Sequence, residues 1–383
     1  MTGEGERGPT RFQRFLLPGL AFKAVVIGGG YATGRELAEF FLPSGPRGGL
    51  AAILLAMLLF SLICIATFLF ARATGTRDYQ SFFKALLGPG WVAFEAVYAL
   101  FVILILAVYG AAAGSIGTAL FGLPTMLGTI ALMAGIILVV TFGNSAVERL
   151  FAYVSYLLYG VYALFVILAF AKFGGRIQAG FAADVPAAGW ALGGVTYAGY
   201  NVIGAIVILP IVRHLTSSRD AIIAGAIAGP LAMLPGLLFF ACMIGFNPDI
   251  AGEALPSDYL LARMDLPAFH LLFQLMIFSA LLESGTSAVH AINERIARAW
   301  QRRTGGALGH RARLGIALAL LILCMLLAGR FGLVALIAGG YRALAYLMLA
   351  IFVLPLATLG VARIRASSSR PLTQGDDHEA SPV

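Results

Sequence analysis

The chain has 383 residues, of which 60% are hydrophobic and only 11% charged, against about 25% charged in a typical soluble domain. A soluble fold is thereby excluded, and the formal net charge of +8 does not point to nucleic acid, because the basic residues fall in short connectors between apolar runs, where positive charge sets membrane topology. Cys64, Cys242 and Cys324 sit in three different apolar runs and provide neither a disulfide framework nor a zinc site.

In chain order, residues 1–14 form a polar leading segment. Apolar runs then predict spans near 16–42, 49–71, 91–120, 124–143, 146–172, 189–212, 220–246, 267–293, 314–329 and 333–362, since about 20 apolar residues cross a bilayer core. The reading is an all-α polytopic membrane protein of ten transmembrane helices. The first run lacks a small-residue cleavage pattern and reads as a retained span. Between the second and third spans, Asp78 to Leu87 alternates polar groups with Phe82, Phe83, Leu86 and Leu87, which predicts an amphipathic helix on the inner membrane surface. The connector 247–266 carries four acidic residues and reads as a solvated outer loop. The Ser-, Asp- and Pro-rich residues 366–383 read as a disordered tail.

Orientation follows from the basic residues. With the N-terminus inside, 18 Lys and Arg lie on the inner side and five on the outer, while Lys23, Arg35 and Arg342 lie within spans. Both termini are therefore expected in the cytoplasm, and the Arg-, Ala- and Gly-rich composition suggests a bacterial inner membrane.

Two spans read poorly as continuous helices. The first contains Gly28-Gly29-Gly30-Tyr31-Ala-Thr33-Gly34, and the sixth contains Gly193-Gly194 and Tyr197-Ala-Gly199-Tyr200-Asn201. Each helix-interior glycine costs about 1 kcal/mol relative to alanine. Breaks at matching places in two five-helix halves, 15–172 and 189–365, fit an inverted-repeat transporter whose unwound backbone binds solute or ion at mid-membrane. The competing reading of Gly30-x-x-x-Gly34 is a close helix-packing contact. A dinucleotide fingerprint is rejected because spans, not a βαβ unit, follow.

In the eighth span, Ser279, Glu283, Thr286, Ser287, His290 and Glu294 recur every three or four residues on one face. An ionisable Glu283 inside a span points to a site, with a neutral structural carboxyl as the alternative. Arg35, Glu36 and Arg342 are further buried-charge candidates, and Glu36 with Arg342 is read as an outer gate. His270 and Gln274 read as interfacial polar groups, and Tyr109 as cavity lining beside Gly110 and Gly114.

The motifs Gly28-Gly-Gly-Tyr-Ala-Thr-Gly-Arg-Glu36 and Tyr197-Ala-Gly-Tyr-Asn201 resemble those of the YkvI-like bacterial membrane proteins, distant relatives of the amino acid, polyamine and organocation transporters of the LeuT fold. The resemblance implies a 5+5 inverted repeat with solute between the breaks of helices one and six, at Gly28, Gly29, Gly30, Tyr31, Thr33, Tyr109, Tyr197, Gly199, Tyr200 and Asn201. It also implies a sodium site between Gly29 and the Thr286-Ser287 pair. Glu283 departs from the sodium pattern and is suited to a proton, so sodium and proton coupling both stay open. The expected activity is symport of a small amino-acid-like or organic-ion solute, without an organic cofactor. A ligand sensor and a passive channel are the alternatives; a membrane enzyme is disfavoured, because no HExxH, paired nucleophile and base, or cofactor motif appears. Oligomeric state is left open.

Overall fold

The computed structural model describes residues 8–142 and 145–368. In chain order the helices are α1 (Leu17–Val26), α2 (Gly29–Ala32), α3 (Arg35–Phe40), α4 (Gly45–Thr74), α5 (Tyr79–Leu87), α6 (Trp91–Phe121), α7 (Thr125–Phe142), α8 (Ser145–Ala182), α9 (Trp190–Asn201), α10 (Ile203–Val207), α11 (Ser218–Ile244), α12 (Pro256–Met264), α13 (Pro267–Thr304), α14 (His310–Ala335), α15 (Arg342–Met348) and α16 (Val361–Ser368). Among the described residues there is no strand. Seven helical stretches are long and apolar enough to cross a membrane by themselves. The first predicted span escapes that measure because it is cut into α1, α2 and α3.

The apolar surface has two destinations. Leu54, Leu58 and Leu62 repeat every four residues along α4 and are 56%, 54% and 51% exposed, a stripe that only lipid can cover. The opposite stripe, Gly49, Ala52, Ala56 and Phe60, is buried. Hydrocarbon gives helices little hydrophobic reason to associate, so close packing of small residues holds them together. At Gly225 of α11 a Cβ would come within 2.6 Å of the Ile65 amide, and at Gly229 one turn on it would strike the Met57 carbonyl. The chain is a multi-pass helical membrane protein.

The connectors follow from local chemistry. Asp78 caps α5 by accepting from the Gln80 and Ser81 amides at 2.9 and 3.0 Å, and Phe82, Phe83 and Leu86 of that amphipathic helix are buried against the bundle. Ser217 and Asp220 form a reciprocal capping box at the start of α11. Inside α14, three residues before its end, Gly332 takes φ 72, ψ 171 and bends the chain before π-type turns at Leu336–Tyr341.

Several expectations move. The eighth span is longer than 267–293, because α13 continues to Thr304 as a polar extension. The anticipated tail begins later, since residues 366–368 complete α16; residues 369–383, like 1–7 of the leading segment, lie outside the described residues.

Candidate functional site

The first span is interrupted twice. Ile27, at φ −78 and ψ 77, ends α1, and the Gly28 amide donates to the Val26 carbonyl at 2.9 Å, a three-residue turn that ends the helical ladder. After α2, Gly34 takes φ 80, a conformation for which glycine has no steric penalty. Gly34 also admits a close neighbour, since a Cβ there would stand 2.7 Å from the Phe239 ring of α11, so the positive φ and the tight contact both call for glycine.

The sixth span departs from its reading. Gly193 and Gly194 lie inside the unbroken α9, and the interruption comes at Val202, which keeps near-helical φ −61 and ψ −16. The glycines serve close approach instead: a Cβ on Gly194 would stand 2.7 Å from the Ala52 carbonyl, and one on Gly193 would collide with that of Phe40.

Between these segments lies a small cavity of about 20 Å³, room for roughly one water. Gly28 and Glu36 line it from the first span, with Val25 and Val26 of α1. From α6 come Phe101, Ile105 and Tyr109, and from the α9–α10 junction Tyr200, Asn201 and Ile203. Tyr341 closes it from the π-type turns before α15; such turns recur at functional sites. The Tyr200 and Tyr341 rings lie 4.4 Å apart between centroids with their planes tilted by 33°.

Glu36 is 4% exposed and accepts from the Tyr200 hydroxyl at 2.5 Å. Its carboxylate rests on the backbone of Gly30, where any Cβ would meet Oε1. Across the cavity, a Cβ on Gly28 would lie 3.1 Å from the Tyr109 hydroxyl, whose hydrogen-bonding neighbour is Ser284 of α13. Asn201 donates to the Tyr197 carbonyl at 3.1 Å, which leaves its amide oxygen as an acceptor.

Of the expected solute residues, the structure brings Gly28, Tyr109, Tyr200 and Asn201 together. It does not bring the others to the cavity wall. Tyr31 donates to the Ala232 carbonyl at 3.2 Å and faces a second, mostly apolar cavity of about 320 Å³ with Lys23, Tyr159 and Tyr162. Thr33 donates to the Gly30 carbonyl at 2.9 Å, Gly30 seats Glu36, and Gly199 lets α9 approach Ala345. Tyr197 is buried beneath Phe40, Phe41 and Phe60.

The Glu36–Arg342 gate is corrected by the geometry. Arg342 lies 3.7 Å from Glu39, not Glu36, and Glu39 also pairs with Arg35 at 2.7 Å. Three residues apart, Glu36 and Glu39 are neighbours on α3, and their tertiary partners separate them: Tyr200 holds Glu36, while Arg35 and Arg342 lie against Glu39. Arg35 further donates to the Ala251 and Glu253 carbonyls at 2.6 and 2.9 Å, which ties the 247–266 connector over the first span. On the face carrying the N-terminal segment, Arg14 grips Asp220 through two bonds of 2.8 and 2.7 Å. That bidentate contact raises the Arg14 guanidinium above its ordinary value, through the Asp220 hydrogen bond against the smaller opposing effect of burial.

The eighth-span residues are less converged. α13 packs against α2, as a site between them requires. The Thr286 hydroxyl donates to the Leu282 carbonyl of its own helix at 2.7 Å, Ser287 is exposed, and Glu283 acts electrostatically on Tyr159 of α8 rather than lining the central cavity. His270 and Gln274 both contact Asp258 of α12, at 2.6 and 2.8 Å. Reading the sequence missed Glu39, Tyr341 and Ser284. The i, i+4 spacing of Arg35 and Glu39 was the available signal for the first; Tyr341 and Ser284 carried none.

No model of a known protein family matches the chain. The uncharacterized membrane protein YkvI of Bacillus subtilis (strain 168) is 25% identical over 284 residues, covering 72% of this chain and 80% of that protein. Among solved structures, MhsT in complex with L-phenylalanine is similar with a TM-score of 0.54 at 18% identity, over 94% of this chain and 99% of that one. The Eremococcus coleocola manganese transporter, in complex with an aromatic bis-isothiourea substituted compound, reaches a TM-score of 0.50 at 14% identity, over 95% and 80%. The sequence resembles YkvI, and the architecture is the LeuT fold.

Proposed function

We propose that this chain, a membrane protein of the LeuT fold, is a secondary active transporter of a small amino-acid-like or organic-ion solute in a bacterial inner membrane. The observation that carries the reading is the small cavity at the Ile27–Gly28 break, walled by the first, third, sixth and last helical segments. A cavity buried at a helix break, with an ionic contact on either side of it, suits alternating access. In this reading residues 15–365 form two inverted five-span halves, about 15–172 and 189–365, with both termini in the cytoplasm. Glu39 with Arg342 closes the outer side, and Arg14 with Asp220 the inner. Opening one side requires breaking that side's pair while the other holds.

The driving ion, sodium or a proton, is assigned to the region between α2 and α13, with Gly29, Thr286 and Ser287 as oxygen donors and Glu283 as the proton-carrying alternative.

The test is uptake by proteoliposomes under imposed sodium or proton gradients, on solutes first chosen by thermal stabilisation of the purified protein. Accumulation against a gradient is expected, and Glu283→Gln should abolish it if the proton is the coupling ion. Solute binding without flux would replace transport by sensing. Flux that never exceeds equilibrium would make the protein a channel.

A further inference from the structure

The central cavity contains one ionisable acid and no base. Arg35, next to Glu36 in sequence, is turned away, its guanidinium engaged by Glu39 and by the Ala251 and Glu253 carbonyls. Among the described residues no cation pairs with Glu36; the Tyr200 hydroxyl is its hydrogen-bond partner. A carboxylate held in such a place without a cation is costly, because desolvation is only partly offset by one hydrogen bond. The rest of the lining does not change that balance. One Asn201 amide N–H goes to the Tyr197 carbonyl and its amide oxygen is an acceptor, while Tyr109, Tyr200 and Tyr341 complete the lining with phenol side chains.

We infer that the solute of this cavity carries a cationic amine head, which the Glu36 carboxylate holds among the rings of Tyr109, Tyr200 and Tyr341. The inference rests on reading the cavity as a solute site. An ammonium supplies the missing counter-charge, donates to Glu36 and to the Asn201 oxygen, and gains from the faces of the rings. A solute carboxylate in the same place meets Glu36 with like charge and finds no cation. The amine competes with a proton: when it binds, a proton held by Glu36 leaves to solvent, and N–H···O bonds replace it. The other titratable groups near Glu36 are Tyr31 from α2, Tyr109 from α6, Tyr197 and Tyr200 from α9 and Tyr341 from the turns before α15. Phenols ordinarily stay neutral at physiological pH, so amine affinity falls on acidification through Glu36 alone.

The test uses the full-length protein in detergent and two matched sets: butylamine, L-norvaline and pentanoate, then phenethylamine, L-phenylalanine and 3-phenylpropanoate. Binding is read by calorimetry and thermal shift at neutral and mildly acidic pH. The amines should bind, the amino acids more weakly and the acids not at all, and amine affinity should fall on acidification. Glu36→Gln keeps the shape and an acceptor for Tyr200; it should weaken the amines at least ten-fold and remove the pH dependence. Acids binding as well as amines, amine affinity unchanged in Glu36→Gln, or no binding by any of the six at millimolar concentration would each overturn the assignment. If Glu36→Gln does not fold, the ranking of the matched sets on the unaltered protein decides. Amine binding without flux in vesicles would sink the transporter reading and leave the head group assigned; flux of an acid without amine binding would do the reverse.

Discussion

At Gly30 the absence of a side chain is what admits the Glu36 carboxylate, since a Cβ there would coincide with Oε1. Gly30→Ala is therefore expected to push Glu36 off Tyr200 and to destabilise the protein by about 1–3 kcal/mol, the usual cost of overpacking, measured as a lower thermal midpoint in detergent. The two arginines near Glu39 should behave differently from each other. Arg35 is 3% exposed and its removal strands two carbonyls, so Arg35→Ala should cost about 1–3 kcal/mol. Arg342 is 51% exposed at its side chain and 3.7 Å from Glu39, a geometry worth at most about 1 kcal/mol. Arg342→Glu should thus leave the midpoint nearly unchanged while impairing uptake, and Arg342→Lys, which keeps the charge, should retain uptake. Undiminished uptake in Arg342→Glu would remove Glu39–Arg342 from the gate.

Within single elements, dihedral angles and caps set the expectations. Gly332 has open space around it, yet its φ 72, ψ 171 lies where essentially only glycine is found. Gly332→Ala should cost about 1–3 kcal/mol through backbone strain with no steric clash, again seen as a lowered midpoint. Asp78 caps α5. Burial pushes its carboxyl up, but the Ser81 hydroxyl together with the Ser81 and Gln80 amides holds it below the ordinary value. A depressed carboxyl stabilises above its unfolded pKa, about 3.9, and that contribution disappears as pH falls through the folded value. Asp78→Ala should accordingly cost about 1 kcal/mol at neutral pH, and the difference from the unaltered protein should close in acid.

For the whole molecule, the uneven distribution of basic residues predicts that a fluorescent protein fused to the C-terminus glows while a periplasm-dependent phosphatase fused there stays inactive; the reverse pattern would invert the inner and outer pairs named above. Membrane class, the helical apolar stretches and the break at Gly28 were legible from sequence because each depends on hydropathy or on glycine conformation within about one span. The capping box at Ser217–Asp220 is equally local, and the structure adds Arg14 gripping its aspartate. Which acid faces the cavity was not legible. Glu36 and Glu39 lie on one short helix, and only the positions of Tyr200 and Arg342, 164 and more than 300 residues away, separate their roles. The same holds for glycine. In the first span it permits a positive φ at Gly34, whereas in the sixth it lets Phe40 and Ala52 press against an intact helix. Local preference says where a chain is able to break; contact between distant segments decides whether it does, and which carboxyl group is turned inside against a tyrosine instead of an arginine.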